Sequence, residues 1–230
     1  MYVCLFDIDG TLINTSGAGR DALRHAMASA FGIHNAADVY LHGRTDRGIS
    51  EELFMAHGIE PNENSWTRFR AAYLQILPDT LRTRPGRICP GIVELLESLR
   101  RRTDVAVGLL TGNSRHGARI KLQHFDLWRY FDFGAFGDDH PLRDDVARSA
   151  VGIIERHRGE SVPSDRIWII GDTPADVQCA RAIHARALAV TTGDHRWDEL
   201  AAANPDHLAR DLTDHAALHS LWPAAWDDKL

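Results

Sequence analysis

Two aspartates two residues apart, Asp7 and Asp9, stand near the head of the chain in the run Asp7-Ile8-Asp9-Gly10-Thr11-Leu12. If the chain turns at Asp9-Gly10, both could meet one divalent cation, one carboxylate attacking an electrophile while the other handles protons. A hard cation such as Mg²⁺ takes oxygen ligands and keeps several waters, so few protein carboxylates suffice. The same residues would also serve as an acidic turn before a helix, since Asp and Gly are common turn formers. Thr111-Gly112-Asn113 offers a hydroxyl and backbone N–H groups ahead of a helix, which suits either an anion site or an N-cap. A charged stretch follows at Asp138–Arg143. In Gly171-Asp172-Thr173-Pro174-Ala175-Asp176, capping chemistry accounts for Thr173, Pro174 and Asp176 but not for Asp172. An acid at one strand end beside another acidic strand end is repelled unless a cation intervenes, which favours a metal site containing Asp172.

These clusters need elements that bring them together. Tyr2–Phe6, Val105–Leu110, Phe131–Phe136, Ile167–Ile170 and the shorter Ala187–Val190 are apolar runs bounded by polar and glycine residues, the pattern of buried strands. The spacing between them predicts helices over Ile92–Arg101, Arg115–His124, Asp145–His157 and Ala175–His184. That alternation implies right-handed crossovers and a parallel sheet covered on both faces. In such a sheet ligands bind beyond the carboxyl ends of the strands, where all four clusters fall. The stretch 15–84 breaks the alternation. It reads helical over Gly19–Phe31, Gly48–His57 and Ser65–Leu77, its charges cancel, and it leaves through the turn residues Thr83-Arg84-Pro85-Gly86. It is read as a helical insertion after the first strand.

Composition bounds the remaining possibilities. A chain of 230 residues, 44% hydrophobic and 25% charged, is ordinary globular material. A net charge of −6 argues against sequence-independent binding of nucleic acid. No apolar run approaches the roughly 20 residues of a bilayer span. Asp7 interrupts the first apolar run before a signal-peptide core forms, so a soluble cytoplasmic protein is expected. Cys4, Cys89 and Cys179 lack disulfide-framework or zinc spacing. Lys121 and Lys229 are the two lysines among 26 basic residues, which leaves most anion binding to arginine. His215 and His219 have the i, i+4 spacing of a metal pair but no third convergent ligand, and read as a surface pair. Asp227-Asp228 reads as solvated charge.

Together, DxDGTL at 7–12, LLTGN at 109–113, a basic residue before a helix at 143 and GDTPAD at 171–176 resemble the haloacid dehalogenase superfamily of aspartate-based phosphotransferases. Order and spacing fit along essentially the whole chain, and phosphoglycolate phosphatase-like members are the nearest in overall pattern. The resemblance implies a Rossmann-like α/β core from residues 1–14 and 85–230, with an inserted all-α cap of the first type at 15–84. It implies that Asp7 is the nucleophile that forms an aspartyl-phosphate. Asp9 would protonate the leaving oxygen and then deprotonate the hydrolytic water. Mg²⁺ would be held by Asp7, the backbone carbonyl of Asp9, and Asp172. Thr111, with N–H groups of Gly112 and Asn113, would bind phosphoryl oxygens, and Asp176 would orient a metal-bound water or the basic group. That group is commonly lysine in the family, but this region has none. Arg143 takes the position, with Arg148 as its competitor. Carboxylate and phosphate are both anions, so a metal and a fixed cation are needed to let one attack the other.

The turn Gly43-Arg44-Thr45-Asp46-Arg47-Gly48 lies within the inferred cap. Arg44, and less so Arg47, could meet a second anionic group of a substrate, against the plainer reading of a solvated loop with local ion pairs. The expected activity is Mg²⁺-dependent hydrolysis of a small phosphorylated metabolite. An intramolecular phosphomutase would use the same Asp7 and Asp9 and return the phosphoryl group to a bound sugar. A non-catalytic binding module on this scaffold would have little need of Asp7, Asp9, Thr111 and Asp172 together. Phosphonatase relatives use a cap lysine, and residues 15–84 contain none. Dehalogenase relatives lack the second acid, so Asp9 argues against dehalogenation.

Overall fold

Side chains alternate along β1 (Tyr2–Phe6), so Cys4 and Phe6 face one helical layer while Val3 and Leu5 face the other. All four are buried, as a parallel strand covered on both faces requires. The computed structural model describes residues 1–223. After β1 come β2 (Ile13–Asn14), α1 (Ala18–Phe31), α2 (Asp46–Ala56), α3 (Glu63–Thr83) and β3 (Arg87–Ile88), which pairs antiparallel with β2. The chain then alternates through α4 (Ile92–Arg100), β4 (Val105–Leu110), α5 (Arg115–His124), β5 (Phe133–Ala135), α6 (Arg143–Arg158), β6 (Ile167–Gly171), α7 (Pro174–Ala182), β7 (Arg186–Val190), α8 (Trp197–Ala202), β8 (His207–Ala209) and α9 (His215–Ser220).

The six-stranded sheet has the order β5-β4-β1-β6-β7-β8, and every neighbouring pair is parallel. The chain leaves β1 for β4 and β5 on one side, then crosses to β6, β7 and β8 on the other. The strand order therefore reverses at β1, and a crevice opens at its carboxyl end. Ile92, Leu95, Leu96 and Leu99 of α4 pack with Ala118 and Leu122 of α5 on one face. Val146, Ala147, Ala150 and Ile154 of α6 pack with Val177 and Ala180 of α7 on the other. Helices α1 to α3 carry a separate apolar cluster built on Met27, Phe54, Trp66, Phe69 and Leu77.

The α/β class and parallel sheet follow the expectation from sequence, and the differences are local. β8 was not expected: it is a three-residue edge strand, half-buried along its length, and has no apolar run to announce it. The β2–β3 pair at the base of the helical insertion is two residues long and equally silent. β5 is confined to Phe133–Ala135, because the preceding residues Trp128–Tyr130 form a 3-10 turn. α3 continues past Leu77 and through Pro78 to Thr83, held on the insertion's core by buried Leu77 and Leu81. Pro78 removes one helical donor, while Thr80 Oγ1 donates back to the Leu77 carbonyl at 2.9 Å. His215 and His219 do not form a metal pair: His215 Nε2 lies 3.1 Å from the Gly91 carbonyl oxygen and His219 Nε2 3.1 Å from Ser98 Oγ, both on the α4 side. Asp227, Asp228 and Lys229 lie outside the described residues. Among the described residues, no helix is long and apolar enough to cross a membrane.

Leu95 is fully buried between α4 and the sheet. Leu95→Ala is expected to cost about 2–5 kcal/mol of folding stability. Urea unfolding should show this as a lower midpoint with an unchanged slope.

Candidate active site

β1 delivers Asp7 to the crevice, and the Asp7 N–H continues the ladder to the Ile170 carbonyl at 2.9 Å. The Asp7 carboxylate is buried, with Oδ1 3.0 Å from a guanidinium nitrogen of Arg143. Arg143 opens α6, is itself buried, and also ion-pairs with Asp176. Asp176 is fixed in turn, since Oδ2 accepts from Thr173 N at 3.0 Å and from Thr173 Oγ1 at 2.7 Å. Arg148, the competitor, pairs with Asp145 on the surface of α6 and does not reach the crevice. Asp172 follows β6 directly and accepts from Thr11 Oγ1 at 3.0 Å, both groups buried. Backbone wraps it closely: a Cβ on Gly193 would fall 1.7 Å from Asp172 Oδ2, and one on Gly10, at φ +88, would fall 2.2 Å away.

Oxygens of Asp7, Asp172 and Asp176 lie within 4.8 Å of one another. Burial pushes the Asp7 carboxyl up to about 6; Arg143 opposes the shift, and Asp176 and Asp9 add to it. Burial also pushes Asp172 well above the usual carboxylate range, with the Asp176 and Asp7 charges adding. Three buried carboxylates face one guanidinium, which leaves an excess of two formal negative charges. An all-oxygen donor set carrying that excess suits a hard divalent cation such as Mg²⁺. Asp176 already spends its oxygens on Arg143 and Thr173.

Asp9 turns to the other side of the crevice, where its side chain is 41% exposed. Its Oδ2 accepts from Asn113 Nδ2 at 2.8 Å and from Lys121 Nζ at 2.6 Å. Lys121 also donates to Asn113 Oδ1 at 2.7 Å, and Asn113 Nδ2 reaches Thr111 Oγ1 at 3.0 Å. The Thr111 hydroxyl, accepting from Asn113, keeps its own proton to donate. Burial alone would favour the neutral Lys121 amine, but the Asp9 carboxylate, with Asp46 behind it, more than offsets this and holds the ammonium form. Sequence reasoning missed Lys121. The available signal was a lone lysine inside the apolar stripe Ala118, Leu122 of a helix that also carries Gly117.

The helical insertion docks on the same loops. Asp46 N donates to the Gly112 carbonyl at 2.7 Å, and Asp46 Oδ2 accepts from Ser114 N at 2.7 Å. A Cβ on Gly112 would fall 1.9 Å from the Arg44 carbonyl oxygen, so this glycine admits the insertion's loop to the crevice. Between the two units lies a cavity of about 530 Å³ that Asp7, Asp9, Lys121, Arg143 and Asp172 help to line. Arg44 lines it too, but its guanidinium is held by Glu52 and by the Tyr40 and Gly48 carbonyls at 3.3 and 3.2 Å. Arg47 is spent on Glu51 and Glu63.

The sequence profile described as haloacid dehalogenase-like hydrolase matches residues 4–190. The chain belongs to the haloacid dehalogenase-like hydrolases. It is 28% identical over 197 residues to a phosphoglycolate phosphatase of Agrobacterium fabrum, covering 83% of this chain and 81% of that one. It is 27% identical over 222 residues to a phosphoglycolate phosphatase of Synechococcus elongatus, covering 93% and 95%. The solved structure of a hydrolase from Pseudomonas syringae shares the fold with a TM-score of 0.72 at 21% identity, covering 97% of this chain and 100% of that one.

The buried acids of this haloacid dehalogenase-like hydrolase make its stability depend on pH and cation together. Folding lifts Asp7 from an ordinary 3.8 to about 6. Between those values the folded protein binds more protons than the unfolded chain, so stability without metal falls as pH rises through that window. Mg²⁺ bound at these carboxylates would have to displace those protons at low pH and would meet free carboxylates at high pH. At pH 7.5, Mg²⁺ at a hundredfold its Kd should add about 2.7 kcal/mol, roughly 5–10 °C in Tm for a chain of this length. The gain at pH 5 should be clearly smaller. Thermal unfolding at both pH values checks this, and equal gains, or none, would contradict it.

Proposed function

We propose that this protein is a Mg²⁺-dependent phosphatase that hydrolyses a small phosphorylated metabolite through an aspartyl-phosphate on Asp7. One observation carries the reading: two carboxylates only two residues apart have opposite surroundings. Asp7 is buried against Arg143 beside Asp172, while Asp9 opens to the cavity and is held by Lys121 and Asn113. Separate environments are how one site assigns different tasks to two like groups.

Asp7 and Asp172, with the backbone carbonyl of Asp9, would hold Mg²⁺. When bound, the ion supplies positive charge that offsets the anionic nucleophile and phosphoryl group. Arg143 fixes Asp7 and adds charge from the opposite side, with Asp176 holding Arg143 in place. The Thr111 hydroxyl and the Gly112 N–H donate to phosphoryl oxygens, while the Asn113 side chain orients Thr111 and Asp9. An Asp7 oxygen attacks phosphorus, the ester P–O bond breaks, and the leaving oxygen takes the proton from Asp9. Asp9 then takes a proton from the water that attacks the aspartyl-phosphate, releasing phosphate and restoring both carboxyls. Residues 15–84 act as the cap over the cavity, controlling water and substrate access. The relatives named phosphoglycolate phosphatase put phosphoglycolate first among substrates to try.

The test is phosphate release from a panel of small phosphate esters, phosphoglycolate included, with Mg²⁺ or EDTA. Release should need Mg²⁺, and Asp7→Asn should lower it on the order of 10³-fold or more. A folded, Mg²⁺-saturated protein that releases no phosphate would sink the phosphatase reading. An isomerised phosphoester in its place would identify a mutase.

A further inference from the structure

Lys121 sits on α5 with 6% of its side chain exposed and spends two donors on the Asp9 cluster. Lys121 and Asn113 both donate to the same oxygen, Asp9 Oδ2, and Lys121 braces Asn113 from behind through Asn113 Oδ1. The three side chains thus form a closed ring that leaves little rotation about the Asp9 carboxyl. With Oδ2 occupied twice, Oδ1 is the oxygen left to carry a proton.

The surroundings of the ammonium come from the insertion. Gly19 of α1 brings its backbone so close that a Cβ there would lie 3.4 Å from Lys121 Nζ. Asp46 of α2 contributes charge that acts on it, and α3 brings Tyr73 against the same helix. A Cβ on Gly117, one turn before Lys121, would lie 3.4 Å from a Tyr73 ring carbon and 3.6 Å from Asp46 Oδ2. Each of the three helices therefore places a residue around one core lysine, and the lysine closes on Asp9.

We propose that Lys121 is a positioning residue: buried by the seated insertion, its ammonium holds Asp9 Oδ2 so that Oδ1 meets the leaving oxygen. Proton delivery is thereby tied to cap seating. The inference rests on the phosphatase reading and adds to it the device that aligns the acid.

Leaving groups separate this role from a merely structural one. An alkyl ester needs the Asp9 proton to expel its oxygen, whereas 4-nitrophenyl phosphate expels a stable anion with little help. The value kcat/KM reports formation of the aspartyl-phosphate and not its breakdown, so it isolates the step. The probes are 4-nitrophenyl phosphate and one alkyl ester, phosphoglycolate or glycerol 3-phosphate, whichever the unaltered protein turns over faster. With full-length, Mg²⁺-saturated protein, Lys121→Met should lower kcat/KM about 10²-fold for the alkyl ester and less than about 10-fold for the aryl ester. In an Asp9→Asn background the same change should cost nothing further with the aryl ester. Should Lys121→Met not fold, Gly19→Leu crowds the ammonium from the insertion side and should give the same unequal loss. Equal losses on both esters with a raised KM would make Lys121 a substrate-binding group and overturn the proposal, as would no loss at all. Turnover of the aryl ester alone by the unaltered protein would show no effective acid at Asp9 and would also overturn it. Failure of the unaltered protein on both esters would instead remove the phosphatase reading on which the proposal stands.

Discussion

Asp7 and Asp172 are forced together by the sheet. β1 and β6 are neighbours with Phe6 opposite Ile170, so the residues that leave the two strands emerge side by side. Each carboxylate is buried, which raises its proton affinity, and the charge of Asp176 adds to the effect on both. A charge of this kind is tolerated only where packing elsewhere supplies the free energy to keep it. Here that packing is the apolar core on both faces of β1. Arg143 arrives from the start of α6 and neutralises part of the charge. Asp176, on the first turn of α7, fixes Arg143 by accepting from it while accepting from Thr173 at the helix start. The remaining negative charge is what suits the crevice to a cation.

Glycine backbones rather than side chains close around this cluster. Gly10 and Gly193 press on Asp172, and a Cβ on Gly171 would fall 2.0 Å from Asp176 Cγ. Any larger residue at these positions would push the acids apart or displace them. The Gly10 carbonyl, held by Thr192 Oγ1 at 2.6 Å, shows the same economy. The loop after β7 is thereby anchored to the first acidic turn, although 182 residues of chain separate them.

The sequence made the core of this arrangement legible because each strand next to β1 is apolar along its whole length and ends abruptly in an acid or a threonine. Asp7, Asp9, Thr111, Asn113, Arg143, Asp172 and Asp176 are brought to one crevice. Arg143 was separable from Arg148 in three dimensions but not in one. Both lie on the same helix, and only the burial of the first turn against β1 and α7 decides between them. Arg44 shows the opposite limit. Its position in a glycine-bracketed turn was readable, but the pairing that draws its guanidinium to Glu52 depends on how α2 folds back on that turn. β8 was silent because an edge strand of three half-buried residues carries no hydrophobic signature. Lys121 was silent for a different reason: a charge within an apolar stripe has meaning only once its partner, here 112 positions away, is known.

The two carboxylates of the first motif consequently belong to different parts of the molecule. Asp7 is held by Arg143 of α6, which Asp176 of α7 holds in turn, and the insertion's loop packs on the start of α7, where a Cβ on Gly43 would fall 3.0 Å from Thr173 Oγ1. Asp9 is held by Asn113 and Lys121, and Lys121 is enclosed by residues of α1, α2 and α3. A displacement of the insertion would expose the ammonium that braces Asp9, while the direct Asp7–Arg143 pair involves no residue of the insertion. Water would then screen the Lys121–Asp9 pair and loosen the ring. The direct ion pair of Asp7 is made within the core, whereas the setting of Asp9 is shared across the interface. In the proposed phosphatase reading, this division would let the insertion bear on Asp9 without breaking the Asp7–Arg143 pair on which the site is built.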